Sequence, residues 1–192
     1  MAVKVVKQCT KQPILSILIC HLPEREESYK RLITALAYQW GPQLVEVLMD
    51  DTHVGQATTG RKRNTLLQAA RGKYIAYIDD DDMVSLRYVQ LIIKSAESSG
   101  ADCIGMQGIF RRHGKDDWSF LHSILVKDWY QDDSKKTYYR TPNHLNPIKR
   151  EIAMRVKFPN KTVGEDRAYS DAIRKHLATE SFINEPIYYY LK

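Results

Sequence analysis

The run Ile14-Leu-Ser-Ile-Leu-Ile-Cys20 is almost wholly apolar over the length of one strand. A strand takes such a run only when both of its faces are covered, so it belongs at the centre of a layered sheet. Strand and helix patterns then alternate, as in a mainly parallel α/β sheet with helices on both faces. A helix is expected over Ser28–Trp40 and stops at Gly41-Pro42, and a strand over Leu44–Met49 runs into Asp50-Asp51. Arg63–Arg71 reads as a helix ended by Gly72, and Tyr74–Ile78 as a strand that enters four aspartates, Asp79 to Asp82. Ser85 is the expected N-cap of a helix whose face carries Leu86, Val89, Ile92, Ile93 and Ala96, ending near Gly100. Cys103–Phe110 is a fourth strand.

Beyond Phe110 the pattern loosens. Residues 111–139 mix charge with aromatic side chains and read as short strands and loops. Asn146-Pro147 predicts the start of a helix reaching about Val156. Glu165–Leu177 predicts another helix, and Pro186–Leu191 a tyrosine-rich strand packed at the sheet edge.

With 192 residues, 43% of them hydrophobic, and no linker or repeat, the chain is expected to form one domain, residues 1–192. No apolar run approaches the roughly 20 residues of a membrane span. Lysines 4, 7 and 11 ahead of the first run imitate a signal peptide, but Pro13 and the following His21-Leu-Pro-Glu-Arg25 do not fit one, so the N-terminus reads as mature protein. Three cysteines at no metal-ligand spacing suit a reducing, cytoplasmic setting.

The aspartate quartet carries the sharpest chemistry. Unit charges about 4 Å apart repel by about 4 kcal/mol at an effective dielectric of 20, a cost that a divalent cation removes. Oxygen ligands suit Mg2+ or Mn2+, which typically bridge one or two carboxylates to substrate phosphates. The plainer alternative is a solvated acidic turn. Position argues against it, because Asp50-Asp51 ends its strand in the same way and ligands of open α/β sheets gather beyond the carboxyl ends of strands. The basic segment Gly60-Arg-Lys-Arg-Asn64, opening a helix, implies a phosphorylated ligand. Gly55 to Gly60 has P-loop glycine spacing but lacks the Lys and Ser/Thr that such a loop needs. Gly164-Glu165-Asp166 offers a carboxylate general base, against the plainer reading of a helix-dipole complement. His144 is a further metal or phosphate ligand candidate, against a simple loop hydrogen bond.

In their order and spacing, the strands ending at Cys20 and Asp51, the segment Gly60–Asn64, the strand into Asp79–Asp82 and the Gly164–Asp166 motif resemble glycosyltransferase family 2. The resemblance implies the GT-A fold, with residues 1–110 binding a nucleotide sugar and 111–192 forming the acceptor side. It implies base recognition by Asp50 or Asp51, donor contacts from Arg63, Asn64, Asp79 and Asp80, and a metal-binding DxD at Asp79 and Asp81 with Mn2+ or Mg2+. Asp166 becomes the catalytic base. The implied reaction is an inverting transfer of one sugar from a nucleoside diphosphate sugar, such as UDP-glucose, to a hydroxyl of a glycan or other acceptor. After the first strand the family's usual Pro-Thr-Tyr-Asn-Arg is replaced, leaving only Arg25. No Gln-x-x-Arg-Trp motif follows Asp166, which points to single transfer. Two rivals remain: a nucleotidyltransferase-like enzyme acting on a sugar phosphate, disfavoured because no glycine follows the first strand, and a nucleic-acid-binding module, suggested by the net charge of +6 and by Arg111–Lys115. The same charge also suits an anionic acceptor, with nucleic acid entering only in that role.

Overall fold

A computed structural model describes residues 3–41, 44–53 and 55–192, so the expected stop at Pro42 lies outside the described residues. In chain order the first elements are Lys4–Lys7 (β1), Leu15–Cys20 (β2), Glu26–Ala37 (α1), Val45–Asp50 (β3), Thr59–Ala69 (α2), Tyr74–Asp79 (β4), Met83–Val84 (β5) and Tyr88–Ser99 (α3). Cys103–Arg111 (β6), Trp118–His122 (β7), Tyr130–Asp132 (β8), Thr137–Arg140 (β9), Ile148–Lys149 (β10), Arg150–Ala153 (α4), Glu165–Ile173 (α5) and Glu180–Leu191 (β11) follow.

β2 is parallel to β3 on one side and to β4 on the other, as its apolar run requires. Its alternate residues Leu15, Ile17 and Ile19 join Leu32 and Leu36 of α1 and Val89 and Ile92 of α3 in one core layer. Leu18 turns to the other face, where Leu66 and Leu67 of α2 and Tyr169 of α5 pack with Tyr77. Each fully buried leucine or isoleucine contributes about 1.5–3 kcal/mol, so both faces of the sheet hold the ends of β2, β3 and β4 firmly in place. β1, the segment whose lysines imitate a leader, pairs antiparallel with the outer edge of β3.

The expected helix from Asn146 to Val156 is replaced by a short antiparallel strand, β10, and the single turn α4. The side chain of Asn146 is the cause. Its Oδ1 accepts from the Asn143 amide at 3.0 Å and from His122 Nδ1 at 3.2 Å, and its Nδ2 donates to Ile104 O at 3.1 Å. Thus tied to a turn and to β6, Asn146 feeds Ile148 in between β4 and β6.

Ser85 likewise does not cap α3. Its amide donates to Ile187 O, its hydroxyl accepts from the Arg87 amide, and the helix begins at Tyr88, which leaves Leu86 exposed rather than on the buried face. α2 starts earlier than its apolar stripe indicates, because Thr58 Oγ1 accepts from the Arg61 amide and caps the helix there. That helix is over before Gly72, whose lack of a side chain serves a different purpose: a Cβ there would lie 2.5 Å from Ser16 Oγ, which the Gly72 amide contacts at 2.7 Å. α5 passes into a 3-10 turn at Arg174–His176. β11 begins six residues before the tyrosine-rich stretch and runs parallel to β6. Tyr188 is therefore fully buried within the sheet instead of lying at its edge. All three cysteines are free, and among the described residues no helix is long and apolar enough to cross a membrane.

Candidate active site

The parallel register aligns Cys20 with both Asp50 and Asp79, so the carboxyl ends of β2, β3 and β4 meet at one place. There the aspartate quartet turns back on itself, with the Asp82 amide donating to Asp79 O at 3.1 Å. The turn sorts the four carboxylates by parity. Asp80 is buried, its Oδ2 accepting from the Leu22 amide at 2.7 Å and from His21 Nδ1 at 3.0 Å, its Oδ1 from Arg25 Nη1 at 3.0 Å. Asp82 is buried too, accepting from Tyr188 OH at 2.7 Å and from the Leu191 amide at 2.9 Å. Burial, with Asp79 adding to it, pushes the Asp82 carboxyl up to about 8.

Asp79, Asp80 and Asp81 all line a groove of about 360 Å³ walled by Arg25, Lys62, Arg63 and Glu165, Asp80 with almost no exposed surface. The quartet is thus two buried clamps, Asp80 and Asp82, and two partly exposed carboxylates, Asp79 paired with Arg63 and Asp81 with Arg25. Asp80, expected to touch a donor, has its oxygens taken up by the chain and holds the loop after β2.

Arg63 explains how the groove is assembled. It is almost completely buried, and its two terminal nitrogens reach Asp79 Oδ1 at 2.9 Å and Glu165 Oε1 at 2.7 Å, tying the end of β4 to the start of α5. Burial opposes the charge of Arg63, yet Asp79 and the other acidic groups around it hold its pKa above the usual value. For Asp79, burial pushes upward, but Arg63 and then His144 outweigh it and hold the carboxyl well below the usual range. Asp81 is raised by burial, with Arg25 pulling the other way and Asp79 and Asp80 adding to the rise.

The remaining basic-segment residues separate. Asn64 turns away from the groove: its amide exchanges hydrogen bonds of 2.9 Å with both backbone groups of Phe158. It anchors the chain before α5 and does not line the groove. Gly60 lets that chain close in, since a Cβ there would stand 2.0 Å from Pro159 O. Lys62 was not singled out by the sequence pattern. Its ammonium is buried and donates to His21 O at 2.7 Å, with no carboxylate within 4.0 Å among the described residues. Its remaining protons are available at the groove wall, whereas its neighbour Arg61 is exposed.

Asp50 is buried at the end of β3. Its Oδ1 accepts from the amide and hydroxyl of Thr52, and its Oδ2 has no partner among the described residues. Asp51 points outward and pairs with Lys4; that hydrogen bond is the main cause of its lowered pKa.

Asp166 lies apart from these carboxylates. With His144, Arg140, Phe110, Phe120 and Tyr138 it lines a second cavity of about 300 Å³, and Tyr190 forms part of the wall of both spaces. Asp166 Oδ1 accepts from the Arg167 amide at 2.8 Å. Because Glu165 is pinned by Arg63, the adjacent Asp166 is set at the mouth of α5. His144 sits between the two spaces, its Nε2 3.5 Å from Asp79 Oδ2, and neither ring nitrogen has a hydrogen-bond partner among the described residues. The donor set around the groove suits a divalent ion of the Mg2+ or Mn2+ kind. Two arginine-paired, partly exposed carboxylates on one space, with an orphaned imidazole beside Asp79, fit a site completed by a ligand's phosphates better than a closed protein cage. Among the described residues no three acidic, His or Cys side chains converge on a metal position, so the expected set of Asp79, Asp81 and His144 is not drawn together as a ligand group.

Comparisons with known proteins bear on the fold and the family. No curated protein sequence matches the chain. Among solved structures, it is similar to S. aureus TarS residues 1–349, with a TM-score of 0.68 and 13% identity over 92% of this chain and 60% of that one. The same protein in complex with UDP-GlcNAc gives a TM-score of 0.70 and 14% identity, covering 93% of this chain and 58% of that one. Its complex with UDP gives 0.69 and 14%, covering 93% and 60%. The chain therefore spans about 60% of the length of these neighbours, and the likeness establishes the GT-A fold. The model of glycosyl transferase family 2 matches residues 36–164, a stretch that takes in the end of α1, the quartet and the chain up to α5, and the protein belongs to that family.

Proposed function

We propose that the protein transfers a single sugar from a nucleoside diphosphate sugar, a UDP-hexose, to an acceptor hydroxyl with inversion. The observation that carries this reading is the division of the carboxylates between two adjoining spaces: Asp79 and Asp81 in the charged groove, Asp166 in the aromatic cavity beside it. The UDP-GlcNAc and UDP complexes of the structurally similar TarS support the choice of donor.

In this reading the groove takes the donor. Asp50 is fully buried and outside the groove lining, but its Oδ2, without a partner beside the groove residue Cys20, is complementary to a ring N–H of the base. Lys62 offers its unused ammonium protons to the donor's oxygens. Asp79 and Asp81, with His144 beside them, would hold Mn2+ or Mg2+, which would supply Lewis-acid neutralisation of the leaving diphosphate. Asp166 takes the proton from the acceptor hydroxyl. The oxygen then forms its bond to the anomeric carbon as the bond from that carbon to the β-phosphate oxygen breaks on the opposite face. A single displacement of this kind inverts the configuration. Glu165 and Arg63 keep Asp166 in register with the groove.

Titrating UDP into the protein with and without Mn2+ tests the donor site calorimetrically. Binding is expected to strengthen with Mn2+, and Asp81→Ala is expected to abolish that increment, a loss of about tenfold or more for a carboxylate facing the ion. Equal UDP binding by Asp81→Ala with and without Mn2+, at wild-type affinity, would remove the proposed metal role.

A further inference from the structure

We propose that the acceptor carries a negative charge, a phosphate or a carboxylate, close to the hydroxyl that is modified, and that Arg140 holds it. This deepens the reading above and rests on its assignment of the aromatic cavity to the acceptor.

Arg140 is the arginine in that cavity, and its pairing differs from that of the arginines in the neighbouring groove. Arg25 binds Asp80 and Asp81, and Arg63 binds Asp79 and Glu165. Arg140 has no carboxylate within 4.0 Å among the described residues. One terminal nitrogen, Nη1, donates to Tyr130 O and Tyr139 O, both at 3.1 Å. Nε and Nη2 make no hydrogen bond to the described residues. Those two N–H groups lie along one edge of the guanidinium and form the fork that grips a phosphate or carboxylate in bidentate fashion.

The guanidinium is also fixed in place. Its carbon lies 4.8 Å from the Trp129 ring centroid and 5.0 Å from that of Tyr138. Trp129 is itself held by its indole N–H to Thr141 Oγ1 at 2.9 Å. Arg167 comes within 4.8 Å of the same indole. Burial, aided by the Arg167 charge and only partly opposed by Tyr138 and Asp166, draws the Arg140 pKa down, so the fold holds a cation where its charge is disfavoured. A bound anion offsets that cost. At about 300 Å³ the cavity is at the lower end of the range for ligand pockets, a size for a sugar unit bearing its own charge rather than a large aglycone.

The test is calorimetric titration of glucose, glucuronate and glucose 6-phosphate into the protein with UDP and Mn2+ filling the donor groove. At least one charged sugar is expected to bind tenfold or more tightly than glucose, and the comparison of the two separates carboxylate from phosphate. Arg140→Gln is expected to abolish the preference, and Arg140→Lys, which keeps the charge without the fork, to retain only part of it. Equal binding of charged and neutral sugars, no binding of any of them, or an undiminished preference in folded Arg140→Gln would overturn the proposal. UDP binding measured in the same experiment keeps the two readings apart: failure of sugar discrimination with UDP bound rejects the anionic acceptor alone, whereas failure to bind UDP rejects the donor site.

Discussion

The charged groove and the aromatic cavity share a wall at Tyr190 yet are built on opposite plans. In the groove, most charges are neutralised by a partner before any ligand arrives: Arg63 with Asp79 and Glu165, Arg25 with Asp80 and Asp81. Its residues sit at the ends of β2, β4 and β11, on the first turns of α2 and α5, and in the loops beside them. In the cavity, walled by β6, β7, β9, β11 and the turn before β10, Arg140 has its fork free and Asp166 accepts only one local backbone hydrogen bond among the described residues. A closed network gives a fixed binding geometry, while open groups leave protons and charges free to be exchanged. Binding carboxylates and a reacting carboxylate need those different surroundings.

The strongest way to break this comparison is Asp166→Asn. If the reacting carboxylate belongs to the cavity, the variant loses about 10²–10⁴-fold in kcat, the usual worth of a general base, while binding of UDP stays at the wild-type level. Transfer at an undiminished rate would move the base elsewhere. Arg63→Ala attacks the groove instead. Removing one partner from a buried ion pair leaves two carboxylates uncompensated, and about 3–5 kcal/mol of stability is expected to be lost in urea denaturation. A loss below about 1 kcal/mol would show that the bridge between β4 and α5 is not what holds the groove together.

Acid should find the cavity first. His122 is buried with its Nδ1 against Asn146, and burial, more than the charges of His144 and Arg140, lowers its pKa to about 3. Below the unfolded value of about 6.5 the unfolded chain takes up a proton that the folded chain refuses, so stability falls as pH drops and the loss is complete only near the folded pKa. The contribution of His122 lost between pH 7.5 and pH 4.5 is a few kcal/mol, set against a gain from the raised Asp82 carboxyl over the same range, so it is read as the difference between the parent and His122→Gln, which removes the loss and leaves the gain. Parallel slopes for the two proteins in urea titrations at both pH values would dissociate acid sensitivity from this residue.

The same contrast explains what the sequence disclosed. The central strands were legible because a run such as Leu15–Cys20, buried on both faces, has only one way to fit, and because Asp50 and Asp79 follow such runs directly. What the linear pattern hid was the division of labour inside a motif. Four identical aspartates carry no mark of which will be clamps; the backbone turn and partners as distant as Tyr188 and Arg25 decide it. Asn64 looked like a ligand contact because it follows Arg63, but its partner is the backbone of Phe158, 94 positions away. Lys62 escaped notice for the opposite reason, a lysine in a basic run being ordinarily solvated. Around β10 the local signal itself misled, since a capping Asn-Pro pair was overridden by tertiary hydrogen bonds from Asn146.

The smallest expected effect probes whether the clamps matter to the groove at all. Tyr188 OH donates to Asp82 Oδ2 at 2.7 Å and accepts from the Asp79 amide at 3.2 Å, so one phenol on β11 holds both ends of the turn that presents Asp79 and Asp81. Tyr188→Phe keeps the ring and its packing but leaves a buried carboxylate and a buried amide each short of a partner, which costs about 1–3 kcal/mol. The stability loss alone would say only that the hydroxyl is useful. If the clamp also sets the angle of the partly exposed carboxylates, the variant should weaken the Mn2+-dependent increment in UDP binding, while the preference of the cavity for charged over neutral sugars stays as it is in the parent. Weakening of both together would mean that the two spaces answer to one shared support, and the separation drawn between them would then lie in their chemistry and not in their mechanics.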